Sequence, residues 1–447
     1  MRPKLNILAA AVAASLCSAL PARAQTAQDF EELRQEVRRL RDEVAELKKS
    51  KATEARPAPA GTSATAGTAT VATKPTEPSG WGERIVVLET QQREATAAPT
   101  DLPGGFRVPG STTSLRLYGY AEGHAIHDIK QTSTPDVFTD LPNQPLNNAG
   151  GLTGQTQFTV ETSRIGFESS TPTSLGTLST RIEGDFYSYD NDSGRNRLRL
   201  RLAYGEIGGL LVGQNWSTFM DLDDFPETID FTGPIGAPFA RLPMVRYSFG
   251  DTKAGYKFTF AAEDPINTSG DPGSANPAWP QFVARFDQAY ERGQFNVRAV
   301  VDPIRSPTET KYVFGFGVGG NLKLTDKDVL MGQYTIADGS INNLAGANGY
   351  TIDANGSISV DRNQGLVLGW ARTYNEQWRS NVAYGMNFGR TAELYDNRRL
   401  YELFVNAIYS PIRNVELGAE YIYGQRSTFS GQVGTLSRFD LMGRFSF

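Results

Sequence analysis

From Leu115 to the carboxyl terminus, apolar and polar residues alternate in segments about ten residues long, separated by turn signals. Phe282, Ala284, Phe286 and Tyr290 fall on one face, and Gln281, Arg285 and Asp287 on the other. Phe295, Val297, Ala299 and Val301 oppose Asn296, Arg298 and Asp302, while Phe439, Leu441, Phe445 and Phe447 oppose Arg438, Asp440 and Arg444. The same reading puts Leu198, Leu200, Leu202 and Tyr204 on one face and Arg197, Arg199 and Arg201 on the other. Turn signals place sixteen strands, near 115–129, 156–169, 176–187, 197–207, 210–216, 243–250, 253–262, 281–290, 294–302, 311–324, 328–337, 362–374, 378–389, 400–409, 413–425 and 436–447. The connectors between them alternate. Seven are short: 171–175, 208–209, 251–252, 291–293, 325–327, 375–377 and 410–412. Eight are long: 130–155, 188–196, 217–242, 263–280, 303–310, 338–361, 390–399 and 426–435. Strict alternation of turns and loops predicts a closed up-and-down antiparallel barrel.

A row of arginines aimed into a dry core carries a prohibitive desolvation cost, so the polar face must look into water. The apolar face then looks outward, which is the stable choice only in lipid. After Leu33 no stretch approaches 18 uncharged apolar residues, so any crossing is made by strands. Tyr118, Tyr120, Trp216, Tyr247, Trp370, Tyr409, Tyr421 and Tyr423 near strand ends suit interfacial girdles. The terminal Phe447 suits a last strand that closes against the first.

The amino-terminal part has a different texture. Arg2 and Lys4 precede an apolar run from Leu5 to Leu20, and Ala22 and Ala24 frame a cleavage site. This predicts a signal peptide over 1–24 and export. Phe30, Leu33, Val37, Leu40, Val44 and Leu47 then repeat at spacings of three and four among charged residues. The spacing predicts a coiled-coil oligomerisation helix over 25–50. Residues 51–114 read as an Ala, Thr and Pro-rich linker and barrel entrance segment, and 115–447 as the barrel. The expected fold is therefore a 16-stranded antiparallel transmembrane β-barrel, all-β apart from an N-terminal coiled-coil helix.

Composition narrows the chemistry. Of 447 residues 44 are Lys or Arg and 49 Asp or Glu; without Arg2, Lys4 and Arg23 the count is 41 against 49, which does not suit a nucleic-acid binder. The single Cys17 lies in the signal peptide, leaving no cysteine chemistry in the mature chain. His124 and His127, the only histidines, fall on opposite faces of one strand and make no metal pair. With no nucleophile elbow and no phosphate-cradling loop either, no enzyme, metal or cofactor is expected. Loop 217–242 combines Asp221, Asp223, Asp224, Glu227 and Asp230 with Phe219, Phe225, Phe231 and Phe239, apolar surface enough to pack inside and narrow the lumen. The expected pore-lining cations are Arg181, Arg197, Arg199, Arg201, Arg246, Lys257, Arg285, Arg298, Arg438 and Arg444. Facing them are Glu183, Asp185, Asp287, Asp302, Glu416, Glu420 and Asp440. Guanidinium forks suit planar carboxylates, so small anionic solutes are the expected cargo. A sugar- or cation-preferring pore, and a structural envelope protein whose arm binds the cell wall, remain alternatives.

Several runs resemble the DcaP-like porins of Gram-negative outer membranes. They are Leu117-Tyr118-Gly119-Tyr120, Thr162-Ser163-Arg164-Ile165-Gly166-Phe167 and Glu183-Gly184-Asp185-Phe186. Longer ones are Leu200-Arg201-Leu202-Ala203-Tyr204-Gly205-Glu206, Gly208 to Phe219, and Pro226-Glu227-Thr228-Ile229-Asp230-Phe231. The resemblance implies a homotrimer of sixteen-stranded barrels set in outer-membrane lipid and lipopolysaccharide, taking up small anions such as dicarboxylates by diffusion. It also implies that the arm forms a periplasmic coiled coil.

Overall fold

The computed structural model describes residues 102–447 apart from 131–135, 150–152, 188–196, 252–254, 266–274, 341, 391–392 and 395. The expected signal peptide and the heptad residues Phe30, Leu33, Val37, Leu40, Val44 and Leu47 lie outside the described residues. Among those described there is no α-helix; the helical element is a single 3-10 turn, Leu141–Asn143. The expected fold class is corrected accordingly: the β-barrel stands, and a helical arm is no part of the fold the structure supports.

The strands are β1 (Phe106–Arg107), β2 (Ser114–Asp128), β3 (Gln155–Thr159), β4 (Arg164–Thr173), β5 (Gly176–Asp185), β6 (Arg199–Ile207) and β7 (Leu210–Trp216). Then come β8 (Arg241–Asp251), β9 (Tyr256–Glu263), β10 (Gln281–Tyr290), β11 (Gly293–Arg305), β12 (Thr310–Lys323) and β13 (Asp328–Asp338). The last are β14 (Tyr350–Ile352), β15 (Ile358–Val360), β16 (Arg362–Thr373), β17 (Trp378–Arg390), β18 (Asn397–Tyr409), β19 (Val415–Thr428) and β20 (Val433–Ser446). Eighteen of these form one sheet, and β14 and β15 a separate hairpin. Setting aside the two-residue β1, and taking β3 and β4 as one interrupted span, leaves sixteen spans. Strand β2 pairs with β20 on one side and with β3 and β4 on the other, so the sheet closes on itself and has no free edge. The Phe447 amide donates to the Gly119 carbonyl at 3.0 Å across the seam.

Short turns mark one end. Gly208 and Gly209 link β6 to β7 in two residues at φ 57° and 86°, the left-handed pair that a tight hairpin needs. At the other end the strands run further than the sequence suggests. Connectors expected over 303–310, 390–399 and 426–435 shrink, because β11 reaches Arg305, β12 starts at Thr310, and β18 and β20 begin at Asn397 and Val433. Part of this wall is buttressed from within: Ile304 and Val313 pack against Tyr350 and Ile358 of the β14–β15 hairpin. The span expected over 156–169 is instead interrupted at 160–163, where the Glu122 amide donates to Ser163 Oγ at 3.0 Å.

The two faces separate as the alternation requires. One ring of neighbouring positions, Val212, Val245, Ala262, Phe282, Val301 and Phe314, points outward. One expectation fails here. Leu202 and Tyr204 do not join Leu198 and Leu200 outside, because Glu183 pairs with Leu202 while Gly184 pairs with Leu200, and the bulge at Arg201 reverses the parity beyond it.

The interior is not wet throughout. Leu141 and Ile235 join Ala383, Leu400, Phe404, Ile422 and Leu436 of the wall in a buried apolar cluster, and Phe219 packs on Ala261, Val283 and Val300. An inward loop fills that part of the lumen.

Candidate functional site

The loop between β7 and β8 crosses the lumen. Its neck is closed by the Ser217 amide donating to the Ala240 carbonyl at 3.0 Å. Glu263 on β9 accepts from Ser217 Oγ and from the Thr218 amide, each at 2.7 Å. Asp221 takes Arg285 at 3.2 Å and Asn296 at 2.6 Å, with Arg298 at 3.9 Å. Asp224 takes Asn296 at 2.9 Å and Asn321 at 2.6 Å. Further along, Glu227 is held by Arg379 at 2.8 and 2.9 Å, and Glu420 accepts the amides of Ile229 and Asp230. Asp230 caps its own turn, accepting the amides of Thr232, Gly233 and Thr139. The loop thus spans from β9–β13 to β17–β19, and the glycines of that wall explain how it fits. A β-carbon at Gly319 would strike the Asp221 carboxylate, and one at Gly385 would strike the Ile235 carbonyl and Pro234.

Electrostatics differ along the loop. Burial opposes ionisation of Asp221, but the Arg298 and Arg285 guanidiniums outweigh it and hold the carboxyl below its ordinary range. For Asp224, burial and then the adjacent Asp221 charge push the carboxyl up to about 8. The pair therefore shares a proton, carried on Asp224. Asp230 is raised by burial, against the pull of Arg438 and its three amides.

The opposite wall carries the arginines. Glu168 holds both Arg181 and Arg116, the latter at 2.5 Å. Glu183 takes Arg201 at 2.9 Å and faces Arg164 at 3.6 Å, and Asp185 takes Arg199 at 2.8 Å and Arg201 at 2.9 Å. Aromatic rings interleave with this ladder. Tyr118 lies under Arg116 and Arg181, Tyr120 under Arg164 and Arg444, and Trp216 under Arg201 and Arg241.

Two cavities beside the loop share Trp216 in their linings. One, of about 400 Å³, is lined by Arg199, Arg201, Arg241, Tyr187, Phe231 and Phe239 among others. The second, of about 520 Å³, is lined by Arg246, Lys257, Arg285, Glu206 and Asp223 among others.

Of the expected pore cations, Arg181, Arg199 and Arg201 come together on the ladder, and Arg246 and Lys257 line the second cavity. Arg285 and Arg298 instead seat the loop, Arg298 fully buried with its Nη1 donating to the Phe219 carbonyl at 3.1 Å. Arg438 is sealed against Asp128 at 2.7 Å, and Arg444 bonds Glu122 and Glu416. Arg197 is exposed ahead of β6. Among the loop acids Asp223 alone lines the second cavity; Asp221, Asp224 and Asp230 are buried and Glu227 is paired. Of the expected lumen acids, Glu183 and Asp185 join the ladder, Asp287 binds Arg285, Asp302 accepts from Asn343, Glu420 anchors the loop, and Asp440 faces His124 at 3.1 Å.

Arg116, Arg164 and Arg241 were not among the expected pore residues. Arg116 lies between Leu115 and Leu117, and Arg164 alternates with Ile165 and Phe167, so strand parity was signal enough for both. Arg241 opens β8 two residues earlier than the turn signals indicate, which left it inside the loop in a sequence reading.

A family model described as DcaP outer membrane protein matches residues 88–447. Among solved structures, the outer membrane channel DcaP of Acinetobacter baumannii is 28% identical, covering 77% of this chain and 100% of that one, with a TM-score of 0.70. OmpT of Vibrio cholerae shares the fold at 12% identity, with 76% and 98% covered and a TM-score of 0.50. Its trimer form gives 12%, 75%, 100% and 0.50. A search of curated proteins finds no match. The family assignment agrees with the closed barrel, the outward apolar face and the lumen-crossing loop: the chain belongs to the DcaP outer membrane protein family and is a diffusion channel of a Gram-negative outer membrane, not an enzyme.

Proposed function

We propose that the channel prefers small organic anions, dicarboxylates among them, which pass between the arginine ladder and the lumen-crossing loop. The observation that carries the reading is a charge surplus across two neighbouring ion-pair clusters. Arg116, Arg164, Arg181, Arg199 and Arg201 share only Glu168, Glu183 and Asp185, five cations to three anions. Arg246 and Lys257 continue the positive wall in the adjoining cavity. A lumen lined this way raises the local concentration of anions. Self-association as a homotrimer in lipid and lipopolysaccharide belongs to the same reading. A weakly cation-preferring or general pore is favoured by Glu206 and Asp223 in the second cavity. Reversal potentials of purified channels under a salt gradient separate the two. Anion selectivity, reduced in the double variant Arg246→Gln and Lys257→Gln, supports the proposal; cation selectivity of the unaltered channel overturns it.

A further inference from the structure

We infer that Arg241 is the specificity-determining residue of this pore: the guanidinium on the smaller cavity whose hydrogen-bonding edge is left for the solute. The inference rests on the anion reading and names the group that performs it. Three guanidiniums line the smaller cavity, and two are already committed. Arg199 gives Nε and Nη2 to Asp185 at 2.9 and 2.8 Å, and Arg201 gives Nε to Glu183 and Nη1 to Asp185, each at 2.9 Å. Such forked pairs fix the arginines and cancel most of their charge at close range. Arg241 has no carboxylate or carbonyl partner among the described residues, and its Nη1 is buried without a hydrogen bond.

Its position is nonetheless rigid. The guanidinium lies over the Trp216 ring at 4.7 Å, and that ring meets Phe239 edge-on at 5.1 Å. Trp216 and Arg241 are directly paired across β7 and β8, one residue outside the hydrogen bond that closes the loop neck. A flat cation held by its face on an indole keeps its N–H edge unspent and pre-oriented. Trp216 borders both cavities, and Arg241 lies over its ring on the side of the smaller one.

The experiment compares full-length channels carrying Arg241→Gln, Arg241→Lys or Arg246→Gln in planar bilayers, reading the reversal potential in a salt gradient and the block of chloride current by succinate. One unit charge at roughly 5 Å in a water-like medium is worth about fourfold for a monovalent ion of either sign, and so about sixteenfold in the anion-to-cation ratio. Arg241→Gln is expected to lower the anion-to-cation ratio by about that factor and to weaken succinate block more than Arg246→Gln does. Arg241→Lys should keep the ratio but not the block, because an ammonium keeps the charge and lacks the fork. If Arg241→Gln inserts normally and leaves both readouts unchanged, the inference is overturned. If the unaltered channel proves cation-selective, the anion reading falls on its own; Arg241 is then still upheld as the selectivity position only if Arg241→Gln moves the ratio further toward cations.

Discussion

The Asp221 and Asp224 pair makes the seating of the loop depend on pH. Both carboxylates accept from the same Asn296 amide nitrogen, at 2.6 and 2.9 Å, with Arg285 and Arg298 beside Asp221, Asn321 on Asp224, and the charges of Asp223 and Asp287 nearby. In the seated loop Asp224 titrates at about 8, against an ordinary value of 3.8. A carboxyl raised in this way keeps its proton in the seated state and loses it on release into water. The seated state is therefore favoured fully at pH near 4, weakens as pH rises, and has lost the whole contribution once pH passes about 8. The slope is about 1.4 kcal/mol per pH unit, or roughly 6 kcal/mol over the window, belonging to the pair rather than to Asp224 alone. Single-channel recordings between pH 5 and 9 should show loop-related current fluctuations rising by about tenfold per unit up to pH 8 and then levelling off. Asp224→Asn keeps an N–H for Asp221 and has no proton to lose, so its fluctuations should not vary over the same range. Identical pH profiles for the unaltered channel and Asp224→Asn would refute the shared-proton account.

Two further perturbations address the same seat. Arg298→Met leaves Asp221 with one guanidinium, that of Arg285, and strands the Phe219 carbonyl, which should cost roughly 3–5 kcal/mol; a lowered unfolding temperature on heat-modifiable gels is the readout, and an unchanged one contradicts the role assigned to Arg298. Gly385→Val places a side chain where the Ile235 carbonyl and Pro234 now rest. The barrel should still fold, with a displaced loop and larger single-channel conductance, and unchanged conductance would mean the loop is not seated by that glycine.

The barrel was legible because its signal is repeated: the two-residue period recurs in every span, so local errors average out. Errors survived where the period is interrupted and at strand ends. The bulge at Arg201 moved Leu202 and Tyr204 inside, and the break at 160–163 split one span, yet neither bulge nor break leaves a mark in alternation counted by eye. The loop's inward course was legible for another reason. Phe219, Phe225, Phe231 and Phe239 need burial, and the lumen was the volume available to them.

What alternation cannot supply is the pairing of charges across strands. It assigns Arg199, Arg285, Arg298 and Arg438 to the lumen with equal weight, and all four do face inward, yet their electrical meaning differs. Arg298 and Arg438 are buried under loops, Arg285 is bound to Asp221 and Asp287, and Arg199 is locked to Asp185. A guanidinium engaged by a carboxylate contributes less to a passing solute, whatever its place in the count. Arg241, which starts a strand where the loop returns, escapes such pairing, as do Arg246 and Lys257 on the second cavity. Selectivity in a barrel of this kind is therefore set less by the number of arginines in the wall than by which of them the register leaves without a carboxylate opposite.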